Sequence, residues 1–145
     1  MCDHCGCREF APIAELTAEH VEILEMAWAM VEATRAHRVI TQSEIDALLK
    51  ILDCHVVKEE SGLYPKLMSV DGLSDAENAA LEKEHVEIRE AIVTGGFDHH
   101  DYYALAAHIE VEELELFSGA MWRFDDGEWD EMGQAHEIAN AAISS

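Results

Sequence analysis

The chain has 145 residues, with 31 Asp and Glu against 9 Lys and Arg for a formal charge of −22. That balance argues against nucleic acid or an anionic membrane surface as partner and suits a protein that attracts cations. The length supports one ordinary domain around a single core, and no apolar run approaches the roughly twenty residues of a membrane span.

Residues 1–11 read as a tail carrying Cys2, Cys5 and Cys7, with His4 among them. CxxCxC is a soft-metal or redox cluster on one reading, and a tail whose thiols do nothing specific on the plainer one. Three crowded cysteines out of four do not make a disulfide framework, so a reducing compartment is expected. The start also lacks the basic residues and apolar stretch of a secretory signal, and the expected location is the cytoplasm.

Residues 12–145 read as one all-α domain. Ile13, Leu16, His20, Ile23, Ala27, Met30 and Thr34 recur at steps of three and four along a first long helix, with Pro12 in its first turn. Thr41 and Glu44 form a capping box that opens a second helix, whose inward stripe is Ile45, Leu48, Leu52, His55, Glu59 and Leu63. Pro65 predicts an end or kink nearby. Ser74 and Glu77 open a third helix with the stripe Leu81, His85, Ile88 and Ile92, stopped by Gly95 and Gly96. A fourth carries Leu105, His108, Glu112 and Leu116, with His99 and His100 expected in the loop before it. Asp125 to Gly127 read as a loop, and Trp129, Met132 and His136 as a short extra C-terminal helix.

The polar residues on those stripes carry the chemistry. His20, His55, Glu59, His85, His108 and Glu112 all fall on apolar faces. One buried histidine is most simply a core residue bonded to a carbonyl, but six such positions together are different. A buried, unpaired carboxylate costs several kcal/mol, which a fold of ~5–15 kcal/mol net stability cannot absorb twice. A cation between them is expected, because those stripes hold too few basic residues to supply one. Antiparallel neighbours joined by short connections bring His55 level with His20 and His108 level with His85. The four imidazoles and two carboxylates suit iron or manganese better than structural zinc, although zinc also binds such donors.

The motifs are written twice. EHVEI occupies 19–23 and again 84–88; HVVKEESGLYP follows at 55–65 and HIEVEELELF at 108–117. Over roughly residues 12 to 120 the chain resembles the hemerythrin-like, or HHE cation-binding, domain. The resemblance implies an up-and-down antiparallel four-helix bundle around a non-haem centre of two iron ions. It also implies that His20 and His85 serve one iron, His55 and His108 the other, with Glu59 and Glu112 bridging and an oxo or hydroxo bridge between the metals. The oxygen carriers of that family have a further histidine one turn beyond the third-helix ligand, where this chain has Arg89. They end the last motif on an aspartate at a longer spacing, where this chain has Glu112. One imidazole fewer leaves a coordination position open, which favours reactive chemistry over O2 transport.

Three functions follow as expectations. The first is binding or sensing of O2, NO or peroxide, a small diatomic or peroxide ligand being the partner. The second is a peroxidase-like or NO-reducing enzyme, for which an electron-donor protein is the partner. The third is an iron store or donor that assists iron–sulfur cluster repair by passing iron to an acceptor protein. Other residues read more plainly. Cys54 is a small buried filler, and His136 has a surface or core role. His37 lies near the first helix's end, where a base suits the dipole. Glu60 and Glu113 are solvated or serve histidine ring nitrogens.

Overall fold

The computed structural model describes residues 10–144, so Cys2, His4, Cys5 and Cys7 lie outside the described residues. Helix α1 (Ala11–Arg35) is followed by α2 (Gln42–Lys58), which runs through a π-helical turn, Glu59–Leu63, into α3 (Tyr64–Ser69). Helix α4 (Asp75–Val93) comes next. Helix α5 (His99–Val111) then runs through a second π-helical turn, Glu112–Leu116, into α6 (Phe117–Arg123), and α7 (Asp126–Ser144) ends the described chain. Four helical rods result: α1, α2–α3, α4 and α5–α6. In the bundle, α1 packs on α2 and α5, and α4 packs on the same two helices, while α7 lies against α1, α2 and the first π turn.

Local chemistry explains the boundaries. Thr41 and Glu44 form the expected reciprocal capping box at the start of α2, and Ser74 and Glu77 form another at the start of α4. After α4 the chain turns at Gly95, whose φ of 76° is open to glycine at little cost. Two expectations are corrected. Asp98 caps α5 by accepting from the backbone N–H groups of His100 and Asp101, at 3.0 Å each, so His99 and His100 begin the helix instead of lying in a loop. Asp125 accepts from the backbone N–H of Glu128 at 3.1 Å, and α7 is therefore no short helix but 19 residues long. His37 sits just past α1 at a φ of 56°, beyond the dipole-compensating turn, where Arg35 is the base.

The π turns shape the interior. At Glu59 and Glu112 the helix admits one extra residue, so the N–H of Tyr64 reaches Glu59 O and that of Phe117 reaches Glu112 O. As a result two consecutive side chains face inward after each turn, Leu63 with Tyr64 and Leu116 with Phe117. The rod does not end at Pro65: regular α-helix is interrupted just before it by the π turn and resumes as α3 with the proline in its first turn. All four expected stripes are buried, apart from the partly buried Thr34. They form two apolar clusters, one around Leu16, Tyr64 and Phe117, the other around Ile23, Leu48 and Phe97. Each buried Leu or Ile contributes about 1.5–3 kcal/mol, and that gain supports a polar layer lying between the clusters.

Candidate metal centre

That layer consists of the six polar residues singled out in the sequence. His20, His55, Glu59, His85, His108 and Glu112 are all 7% exposed or less. α1 supplies His20, α2 His55, α4 His85 and α5 His108, while the two glutamates open the two π turns. In each HxxxE unit the one-turn spacing puts imidazole and carboxylate on one face, with His55 Nε2 2.9 Å from Glu59 Oε2 and His108 Nε2 2.9 Å from Glu112 Oε1.

The carboxylates also reach across. Glu59 Oε1 lies 3.1 Å from His85 Nε2, and its other oxygen 3.6 Å from His20 Nε2. Glu112 Oε1 lies 3.7 Å from His20 Nε2, and Tyr64 donates to its other oxygen at 2.9 Å. Two overlapping sets of atoms that could hold a metal ion result: His20 and His55 with both glutamates, and His85 and His108 with the same two. The resemblance implies His20 with His85, whereas the atoms close enough to share one ion group His20 with His55 and His85 with His108. Adjacent rods pair their histidines, with ring centroids 4.5 Å apart for His20 and His55 and 4.8 Å apart for His85 and His108. A cavity of about 10 Å³, lined by all six residues, lies among them, about the space one water-sized centre needs.

Every imidazole has its outward nitrogen held. Glu19 on α1 takes His55 Nδ1 at 2.9 Å, Glu60 takes His85 Nδ1 at 2.6 Å, Glu84 on α4 takes His108 Nδ1 at 2.7 Å, and Glu113 takes His20 Nδ1 at 2.8 Å. These contacts form a ring, each rod supplying one carboxylate to a neighbour's histidine. Ionised carboxylates only accept, so each Nδ1 donates and each Nε2 of a neutral ring presents a lone pair inward. His85 Nε2 and His108 Nε2 are 3.1 Å apart. Two facing lone pairs repel unless a cation lies between them. While the rings are neutral and turned this way, His20 Nε2, His55 Nε2, both oxygens of Glu59 and Glu112 Oε1 are buried without a hydrogen-bond partner, since all of them are acceptors. Donors of this kind, all nitrogen and oxygen, fit a borderline or hard transition-metal ion.

Without metal, protons must fill that role. Burial pulls His55 down, but the charge of Glu59 and hydrogen bonds to Glu19 and Glu59 outweigh it, pushing its pKa up to about 10. His108 is likewise pulled down by burial and pushed up to about 9 by its hydrogen bond to Glu112 and that group's charge. Burial, then the charge of Glu59, pushes Glu112 up to about 7. Glu59 is raised by burial, yet His55 and its hydrogen bonds hold it well below the usual range.

Raised histidine pKa values mean that the folded apo protein keeps protons which the unfolded chain releases above its ordinary 6.5. The stability they give is complete below 6.5 and is lost as pH rises through about 9 and 10. Glu112 adds a loss in the same direction between 4.5 and about 7. Apo protein is therefore expected to lose melting temperature steadily on the alkaline side, and metal-loaded protein to lose much less. Parallel melting curves for the two forms from about pH 7 to about pH 10 would contradict this.

A sequence model of the hemerythrin HHE cation binding domain matches residues 11–94. The chain belongs to the hemerythrin HHE cation-binding family. No curated protein and no solved structure matches it. The family match ends before His108 and Glu112, so in this hemerythrin-family domain the second half of the site rests on the motif repeat and the fold. A buried metal-binding site is what the family and the geometry together support.

The remaining residues sort cleanly. Arg89 pairs with Asp53 at 3.0 Å on the exposed face and takes no part in the site. His136 is buried and faces Glu15 at 3.0 Å. Cys54 is buried and its thiol faces Ala139 O and Asn140 Oδ1, each at 3.6 Å, outside the site. Glu60 and Glu113 serve ring nitrogens, as one of their two readings had it. Sequence reading missed Glu19, Glu84, Tyr64 as a site residue, and Lys58. The signal for the first two was present in the pair Glu-His, written in both copies of EHVEI. For Lys58 it was a lysine one turn from His55 on the inward face.

Proposed function

We propose that this is a non-haem di-iron protein that binds or senses O2, NO or peroxide. His20, His55, His85 and His108 act as terminal ligands, and Glu59 and Glu112 as bridges. The observation that carries the reading is the reach of Glu59, whose two oxygens lie 2.9 Å from His55 Nε2 and 3.1 Å from His85 Nε2. A carboxylate so placed serves two cations at once. Bound iron would supply a redox-active Lewis acid at this point; manganese or zinc would fit the same donors.

The chain's own residues prepare the site. Four outer carboxylates fix the histidine tautomers and raise the basicity of Nε2. Two apolar clusters keep bulk water away. Tyr64 Oη lies 3.3 Å from His85 Nε2, while Phe117, at the matching place after the second π turn, stacks on His20 at 5.6 Å. Burial and the charges of Glu59 and Glu112 drive the Tyr64 pKa far upward, so the phenol stays protonated and serves as a hydrogen-bond donor. That donor favours a second reading, peroxide or NO reduction, in which Tyr64 holds the proton and a partner protein supplies electrons.

Protein made in iron-supplemented medium, with its optical spectrum followed on exposure to O2, NO and peroxide, tests the reading. Two irons per chain and a charge-transfer band that responds to ligand are expected. Iron in place with a spectrum indifferent to all three ligands would contradict ligand binding. Sustained peroxide or NO consumption with a reductant would favour the catalytic reading.

A further inference from the structure

The two halves of the centre share donors and bridges, yet their outer surroundings differ. Behind His55, Glu19 pairs with Lys58, a lysine only 1% exposed that also pairs with Glu15 at 2.8 Å. Helix α7 lies over this side, where His136 meets Glu15. Behind His108, the corresponding carboxylate Glu84 has half its side-chain surface in water. Three residues after His108, in the place that Lys58 holds after His55, stands the exposed Val111. One half is closed by a buried ion pair and a fifth helix, and the other faces outward.

A groove of about 430 Å³ runs along that outward seam between α4 and α5. Its walls include the exposed alanines Ala80, Ala104 and Ala107, whose small side chains leave the seam unfilled. Its floor reaches His108, and Glu77, Glu84 and Glu115 contribute carboxylates to the lining, which contains no Lys or Arg. The groove thus brings solvent to the side of His108, a member of the buried layer that carries unpartnered ligand atoms. A carboxylate-lined path repels anions and raises the local concentration of cations.

We propose that the α4/α5 groove is the port through which divalent cations enter and leave the centre, reaching the His85/His108 half first. This rests on the metal-centre reading above. The half under α7 exchanges its ion through the same path, because Lys58 and its partners close the other side. The order of loading is then fixed by the fold: the His85/His108 half exchanges quickly and the His20/His55 half slowly.

Mixing apo protein with Co2+ and following the d–d absorbance gives the loading rate, and chelation by EDTA gives the release rate. Two kinetic phases are expected from the wild type. Ala107→Trp, at an exposed position, is expected to slow both loading and release several-fold while leaving the final number of ions unchanged. The pair Glu77→Gln and Glu115→Gln keeps the groove open and the α4 cap intact. It is expected to slow loading about two- to fivefold at low salt, the difference fading at high ionic strength. A control pair, Glu25→Gln and Glu32→Gln, removes the same charge from exposed positions in a different groove on α1 and is expected to change neither rate. Wild-type rates in the Ala107→Trp protein, or equal slowing by the control pair, would overturn the port. A wild-type protein that takes up no Co2+ would overturn the metal-centre reading and the port with it.

Discussion

Replacing Glu59 with glutamine is expected to reduce bound metal from two ions per chain to one or none. The side chain keeps its size but loses the charge and the second anionic oxygen with which it faces His55 and His85. Outer partners of metal ligands contribute roughly 10–100-fold to affinity, and a bridging ligand contributes to two ions, so the loss at Glu59 is expected to exceed that range. Glu60→Gln is the informative comparison. It alters only the partner of His85 Nδ1, and is expected to weaken binding within the 10–100-fold range while preserving two ions at saturation. Metal content after dialysis at fixed free metal checks both. Two ions retained by Glu59→Gln would remove Glu59 from the bridge.

Removing metal is expected to lower the melting temperature by roughly 10 °C. A ligand present at a thousand times its dissociation constant stabilises the fold by about 4 kcal/mol, and a domain of this size shifts by about 2–4 °C per kcal/mol. The physical source lies in the polar layer. Glu59 and Glu112 are both 0% exposed and share one small space. Without a cation they are neutralised by protons on the four histidines, all of whose pKa values are raised, and by a proton on Glu112 itself. That substitute is weaker and depends on pH, whereas a divalent ion meets the lone pairs and charges directly. Calorimetry of the apo and reloaded forms at neutral pH measures the difference. Equal melting temperatures would mean that the protonated layer is as stable as the loaded one, and the role of metal in holding the fold would fail.

Much of this was legible in the sequence because burial leaves a periodic trace. Leu81, His85, Ile88 and Ile92 recur at helical spacing, and each is buried. A histidine at such a place must answer for its polarity, and that singles out the six candidate site residues. Contacts between rods leave no such trace. Glu84 sits beside His85 in sequence yet serves His108 on the neighbouring helix, and Glu19 serves His55 in the same way. Their partners depend on register between helices, as does the grouping of His20 with His55. The π turns were hidden as well, because one extra residue in the hydrogen-bond ladder does not alter composition. Leu63 and Tyr64 both turning inward is their consequence. Helix α7 was underestimated because Asp125 and Gly127 are ordinary loop residues until Asp125 is seen accepting from Glu128 N–H.

In the proposed function one buried layer holds two cations between two histidine pairs. Anomalous diffraction at the iron edge on crystals of iron-loaded protein tests it most directly. Two peaks are expected, one beside the Nε2 atoms of His20 and His55 and one beside those of His85 and His108, with Glu59 and Glu112 reaching both. A single peak, or two peaks that share the histidines out as His20 with His85, would contradict it.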